Sequence, residues 1–211
     1  MRILITAGGT REYIDPVRFI SNASSGRMGY ALVRAALKAG HKVTLITAPT
    51  TQRLPSGAKV VEVETAAQMF EAVKKGFEIC NCLIMAAAVS DYTSARTAKT
   101  KIKKSNKSLT LKLKPTADIL KWAGKHKRKN QIVVGFALED RNLRQNAEIK
   151  LKEKNIDIII ANTSDAIGAG KSTVQIKTRD SSWTKIENAT KAIIAKKVIS
   201  IIIARRKYER R

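Results

Sequence analysis

Along the chain, short apolar runs rich in β-branched residues alternate with stretches in which apolar residues recur every three to four positions. A strand apolar at successive positions is one buried on both faces, and its alternation with helical spacing predicts an α/β fold. That fold is a Rossmann-like, mostly parallel sheet with helices on both faces. Strands are predicted at 2–6, 42–47, 82–87, 131–136 and 157–161. Helices are predicted at 30–40 and 65–76, each stopped by a glycine, and at 118–125, 143–154 and 188–203. The last carries Ile194, Val198, Ile201 and Ile202 at helical spacing, an apolar stripe fit to lie on the sheet.

Two segments depart from the alternation. Residues 92–114 are charged and include a period-two stretch, SLTLKLK, which predicts a basic flap or β-arm projecting from the sheet. Near the C-terminus, TVQIKTRDSSWTKIE predicts a β-hairpin turning around Asp180 and Ser181. With no internal repeat and no low-complexity linker, residues 1–211 are expected to form one domain.

Composition changes the picture in one respect. Hydrophobic content of 44% over 211 residues suffices for a single core, but 41 Lys and Arg against 17 Asp and Glu give a formal charge of +24. Such a charge favours anionic partners without specifying a fold. Much of it lies in residues 96–129 and in the tail ARRKYERR, residues 204–211, which is expected to be a solvated, frayed helix end. No uncharged apolar stretch approaches the roughly 18 residues needed to cross a bilayer, and the first apolar run ends at Gly8, so a cytoplasmic protein without a leader or membrane partner is expected. Cys80 and Cys82 are expected on the same face of one strand as buried thiols, since no metal-ligand partners accompany them.

The candidate chemistry begins after the first strand. A G-x-G-x-x-G turn brings a pyrophosphate to the amides at a helix N-terminus. Here Gly8 and Gly9 come early, while Gly26 and Gly29 open the helix some seventeen residues later, so the fingerprint is split. Ser24 and Ser25 can cap that helix, and its amides can hold a phosphate; capping alone would also account for the serines. In the insertion, Arg18 offers a bidentate clamp for an anion and Asn22 a neutral donor to a developing oxyanion, although each is also an ordinary loop residue. The stretch KTKIKK, with Lys101 inside it, suits a polyphosphate clamp, an RNA-contacting arm or a solvated charge run equally well. AAAVSDY ends a strand in small residues and places Asp91 at its carboxyl edge, where a carboxylate can meet a nucleotide or help hold Mg²⁺. His41 and His126 lack partners for a triad or a metal cluster.

Taken in order, TAGGTREYIDPVRFISNASSGRMG, AAAVSDY, KIKK, VVGFALE and NIDIIIAN resemble the phosphopantothenoylcysteine synthetase family of coenzyme A biosynthesis. The resemblance runs from about residue 3 to beyond residue 162. It implies a ligase that joins 4′-phosphopantothenate to L-cysteine through an acyl-cytidylate, consuming CTP with Mg²⁺ and releasing CMP and pyrophosphate; ATP replaces CTP in eukaryotic members. It implies a homodimer, and a flavin-dependent decarboxylase as partner, since bacterial members are commonly fused to one; this chain would be a stand-alone synthetase or an excised half. By motif position, Asn22 holds the activated acyl group, Arg18 is its anion-positioning neighbour, and Lys101 is the flap lysine. The nucleotide pocket maps onto Met85, Ala86, Ala87, Asp91, Ala117, Asp118, Ile119, Leu120, Phe136, Lys150 and Lys154; Ser24, Ser25 and Gly26, at the helix mouth, are expected to hold a phosphate of the substrate. Asp91 is also the one metal-binding candidate. The chain reads TADIL where a proline is common before Asp118, and AGGT where AGPT is common.

Two other classes compete. A nucleic-acid-binding module would use the +24 charge, but no RNP-like, zinc-finger or basic-zipper pattern accompanies it and aromatic residues are only 5% of the chain, so nucleic acid is not expected as a partner. An NAD(P)-dependent oxidoreductase is disfavoured by the split glycine fingerprint.

Overall fold

The computed structural model describes residues 1–166 and 168–208. In chain order the elements are β1 (Arg2–Ala7), β2 (Arg11–Tyr13), β3 (Phe19–Ser21), α1 (Arg27–Lys38), β4 (Lys42–Thr47), β5 (Lys59–Glu62), α2 (Ala66–Phe77), β6 (Cys82–Met85), β7 (Tyr92–Ser94), β8 (Leu113–Pro115), α3 (Ile119–His126), β9 (Ile132–Leu138), α4 (Leu143–Glu153), β10 (Ile158–Asn162), a 3₁₀ turn (Ser164–Ala166), β11 (Lys171–Thr178), β12 (Thr184–Thr190) and α5 (Lys191–Tyr208). Eight strands form one sheet in the order β12-β11-β10-β9-β6-β1-β4-β5. The six from β10 to β5 run parallel, and the β11–β12 hairpin adds two antiparallel strands at one edge.

The period-two geometry of each strand sorts its side chains between two cores. Ile3, Ile5, Leu45, Cys82, Ile84, Val134 and Ile158 pack under α1 and α5. Leu4, Ile46, Leu83, Val133 and Ile159 pack under α2, α3 and α4, against Met69, Val73, Phe77, Ala123 and Leu151. Burial on both sides is why these strands read as unbroken apolar runs. From β1 the chain crosses to β4 on one side and later returns through α2 to β6 on the other. Such a reversal opens a crevice at the carboxyl ends of β1 and β6, the usual ligand position in open α/β sheets.

Several expectations are corrected. The long loop after β1 contains its own hairpin, β2 with β3, and the sheet ends in a further parallel strand, β5, whose KVVE is too polar to register as a buried run. In the flap, SLTLKLK does not form a continuous ribbon: Leu113–Pro115 pairs with Tyr92–Ser94, whereas Leu109 and Leu111 are exposed outside any strand. The last helix starts at Lys191, because Asn188, Ala189 and Thr190 finish β12, with Asn188 in the left-handed region beside a bulge. That helix continues to Tyr208, and the tail is no solvated end as far as Arg206: Arg205 pairs with Asp180 at 3.1 Å and its side chain is 17% exposed. Residues 209–211 of the expected tail lie outside the described residues. Cys80 and Cys82 are buried thiols but on opposite faces, since Cys80 precedes the strand and packs beneath α2 while Cys82 lies under α1 and α5. No helix among the described residues is long and apolar enough to cross a membrane.

Candidate functional site

The split glycine fingerprint is rejoined in space. Gly8, at φ +83°, turns the chain away from β1, and residues 10–25 leave the sheet and return so that a Cβ on Gly26 would lie 3.5 Å from the Gly8 nitrogen. Gly26, at φ +71°, is the N-cap of α1, and no side chain caps that helix. Ser24 and Ser25 therefore do not serve as its caps: Ser24 Oγ accepts from the Gly26 amide at 3.4 Å, and the Ser25 carbonyl accepts from Thr50 Oγ1 at 2.9 Å. The uncapped amides of the first turn are left for a ligand. Gly29 permits the contact between helix and strand, because a Cβ there would sit 2.5 Å from that of Ala7.

These residues form one wall of a cavity of about 610 Å³ at the carboxyl edge of the sheet. The opposite wall begins at Met85, Ala86, Ala87 and Ala88, small enough at the last three for a ligand to approach the backbone. Pairing of β1 with β6 continues past both strands, with the Ala88 amide donating to the Gly8 carbonyl at 2.8 Å and Gly9 bridging to Ala88. Asn22 spans the two walls: its Nδ2 donates to the carbonyls of Ala88 at 3.4 Å and Val89 at 3.1 Å. Buried Thr10 accepts from the Ser90 amide at 2.9 Å, and Thr116 donates to the Ser90 carbonyl at 2.6 Å, so Asp91 is held between two fixed segments while its side chain stays exposed on the wall.

The third side is built by α3, α4 and β9. Asp118 caps α3 by accepting from the Lys121 amide at 2.9 Å, and its other oxygen meets Lys154 Nζ at 2.9 Å. Lys150, one turn earlier on α4, pairs with Glu139, which also accepts from Asn146 at 2.9 Å. Both lysines line the cavity together with Ala117, Ile119, Leu120 and Phe136. Sequence reasoning missed Arg27, Thr116, Asn162 and Lys191, which also line the cavity. Lys191 opens α5 and donates to Ser172 Oγ at 2.9 Å; burial, and then the nearby Arg27 guanidinium, lower its pKa below the usual lysine value. A bound anion would relieve that repulsion. Asn162 ends the quoted NIDIIIAN and was within reach of the sequence; Lys191 carries no local signal, since only the fold brings α5 to this edge.

Arg18 and Lys101 do not line the cavity. Asp15-Pro16-Val17-Arg18 closes a tight turn, with Asp15 Oδ1 accepting from the Val17 and Arg18 amides, both at 2.8 Å. Burial of the Asp15 carboxyl opposes its ionisation, but the amides of Val17, Arg18 and Ile102 and the Arg18 guanidinium outweigh burial and hold its pKa below the ordinary aspartate value. Lys101 is exposed on the flap, next to Ile102. A larger hollow, about 1340 Å³, runs along α2 and the β4–β5 edge, but of the predicted site residues only Ala117 reaches it.

A family model described as the DNA/pantothenate metabolism flavoprotein C-terminal domain matches residues 1–205. The coenzyme A biosynthesis bifunctional protein CoaBC of Bacillus subtilis (strain 168) is 47% identical over 169 residues, which are 80% of this chain and 41% of that protein. A cysteine/cysteine sulfinic acid decarboxylase from an unknown prokaryotic organism is 44% identical over 207 residues, covering 96% of this chain and 58% of its own length. The chain spans about half the length of the curated relatives it matches. Among solved structures, the crystal structure of the C-terminal domain of a CoaBC bifunctional protein aligns with a TM-score of 0.82 at 36% identity, covering 95% of this chain and 93% of that one.

Proposed function

Because the chain belongs to the DNA/pantothenate metabolism flavoprotein C-terminal domain family, we propose that it joins 4′-phosphopantothenate to L-cysteine at the expense of CTP. The observation that carries this reading is the cavity itself: the uncapped N-terminus of α1 on one side and Lys150 and Lys154 on the other, with Asn22 across the cleft between them. A site with anion-binding elements at opposite ends suits two phosphorylated reactants meeting in the middle.

In the first step a carboxylate oxygen of 4′-phosphopantothenate attacks the α-phosphorus of CTP, forming the acyl-cytidylate and expelling pyrophosphate. In the second the cysteine amine attacks the acyl carbon, the C–O bond to CMP breaks, and the amine proton is lost to water. Ser24, Ser25 and Gly26 are assigned to the phosphate of 4′-phosphopantothenate. Met85, Ala86, Ala87, Ala117 to Leu120 and Phe136 are assigned to the nucleoside, and Lys150 and Lys154 to its phosphates. Asn22 is positioned by two carbonyls to face the acyl group, and Lys101 meets the phosphates from the flap; fixed cations and dipoles are the fitting catalysts for charge gathering in a small volume.

Mg²⁺ would neutralise the triphosphate. No cluster of three or more His, Cys, Asp or Glu able to hold a metal occurs among the described residues, whereas the exposed Asp91 carboxylate on the cavity wall fits an ion that arrives with its nucleotide. We extend the reading to a homodimer, and to a decarboxylase domain or protein acting in sequence with it; the word bifunctional in a relative's name supports the second.

The test is coupling assayed with CTP and ATP side by side. CMP and pyrophosphate are expected only with CTP and 4′-phosphopantothenate together, and amide only when cysteine is added. Faster turnover with ATP would overturn the nucleotide assignment. CO₂ release from cysteine without nucleotide turnover would favour the activity for which one relative is named.

A further inference from the structure

We propose that Asp15 is a positioning residue that, through Arg18, fixes the flap at Ile102 and thereby sets Lys101 relative to the cavity; this rests on the ligase reading for what Lys101 does once placed. Asp15 is wholly buried, and its two oxygens face different ways: Oδ1 closes the turn at Val17 and Arg18, while Oδ2 accepts from Arg18 Nη1 at 3.1 Å and from the Ile102 amide at 3.2 Å. Arg18 Nη2 completes the grip by donating to the Ile102 carbonyl at 3.1 Å. Both backbone polar groups of one flap residue are therefore captured by a single ion pair, its carboxylate buried and its guanidinium partly exposed, more than eighty residues away in sequence.

The rest of the flap makes this grip consequential. Its entry rests on the same loop, with the Ala98 amide donating to the Ile14 carbonyl at 2.9 Å and Thr97 Oγ1 to the Tyr13 carbonyl at 3.1 Å. Residues 99–112 contain no helix or strand, and Leu109 and Leu111 are exposed. A segment with so little regular structure and few buried apolar contacts belongs to the low-stability end of a fold. A hydrogen bond to a charged, desolvated carboxylate is a strong one, and Asp15 receives one from the Ile102 amide, so Ile102 is a point at which this segment is pinned. Lys101 is one peptide away, and its ammonium can sweep only the volume that this pin allows. In this arrangement Arg18 acts on the reaction through the flap and does not itself grip the substrate.

The experiment pairs Arg18→Lys and Asp15→Asn with Lys101→Ala. Arg18→Lys keeps the charge beside Asp15 but loses the planar fork that reaches Ile102, and with its side chain 41% exposed it leaves the core untouched. If Asp15→Asn fails to fold, Arg18→Lys alone decides. Trypsin cleavage within residues 99–104 should accelerate several-fold in Arg18→Lys at an unchanged melting midpoint. Misplacement of a catalytic cation should lower kcat by about 10- to 100-fold with little change in the KM for CTP. In the Lys101→Ala background the same substitutions should cost almost nothing more, because a positioning residue has nothing left to position. Fully multiplicative losses, or unchanged flap cleavage, would overturn the proposal. If the wild-type chain couples nothing, the ligase reading falls while the cleavage result still decides the clamp.

Discussion

The two edges of the central sheet use the same kinds of charged residue to opposite ends. At the amino edge, Asp157 is 5% exposed and saturated: Oδ2 accepts from the Val133 amide at 2.8 Å, and Oδ1 faces Lys127, Arg179 at 3.8 Å and Arg205 at 3.9 Å. Burial, with repulsion from Arg179 and Arg205, outweighs Asp157 and lowers the pKa of Lys127. At the carboxyl edge the carboxylates of Asp118 and Glu139 hold lysines beside an open cavity, and Asp91 and Asn22 remain exposed. The amino edge closes its charges on one another and joins α3, β10, β11 and α5. The carboxyl edge spreads its charges around a space. Ion pairing alone therefore does not mark a functional site; what marks one is whether the groups have room to exchange their partners.

The contrast can be broken first at the amino edge. Replacing Asp157 with alanine leaves Lys127, Arg179 and Arg205 facing each other and should cost about 3–5 kcal/mol in urea unfolding, while the folded fraction keeps its kcat. Asn22→Ala should do the reverse, lowering kcat by about 10²–10³-fold at an unchanged unfolding midpoint, the scale of loss when one preorganised polar group beside a reacting centre is removed. If Asn22→Ala unfolds the chain, or Asp157→Ala abolishes turnover of folded protein, the division between the edges fails. Between these extremes stands Gly29→Ala: its Cβ would lie 2.5 Å from that of Ala7 and 3.0 Å from the Thr6 carbonyl oxygen, and overpacking of this kind should cost about 1–3 kcal/mol in the melting transition together with some activity, because α1 carries the cavity wall. The smallest effect is expected at the thiols. Burial raises the pKa of Cys80 and, much further, that of Cys82, so their thiolates form only at higher pH than usual and iodoacetamide at pH 7 should label neither until urea unfolds the chain.

Legibility in the sequence followed burial. The parallel strands declared themselves because both faces are covered, and α2 was bounded at its start by Thr65 and Gln68, which form a reciprocal cap, whereas Gly76, expected to stop it, lies inside the helix, which runs to Phe77. Strands of three residues, such as β2, β3, β7 and β8, are too short to show a period, and β5 is an edge strand whose half-exposed side chains need not be apolar. The two cysteines were assigned to one face on the assumption that the strand already included Cys80; it starts at Cys82, and the preceding turn reverses the relation. At the site, residues within one quoted motif were readable, since a loop after a strand falls at the carboxyl edge by topology. Arg27 stood within that motif and was passed over, whereas Lys191 was not readable, because its neighbourhood is created by packing α5 against α1. Arg18 was readable as a functional position, but its attachment to Ile102 depends on a flap whose path no local pattern specifies.

The rejoining of Gly8 and Gly26 bears on how such a loop could change length. An excursion whose two ends meet at one point in space transmits no strain to the elements it connects, and lengthening it adds only the slowly growing entropy of a larger closed loop. Residues 10–25 can therefore be treated as a graft on a dinucleotide-type turn, removable or extendable without shifting the register of β1 or the seating of α1. Chimeras that exchange this segment while keeping Gly8, Gly26 and Gly29 would ask whether specificity moves with the graft or stays with the sheet.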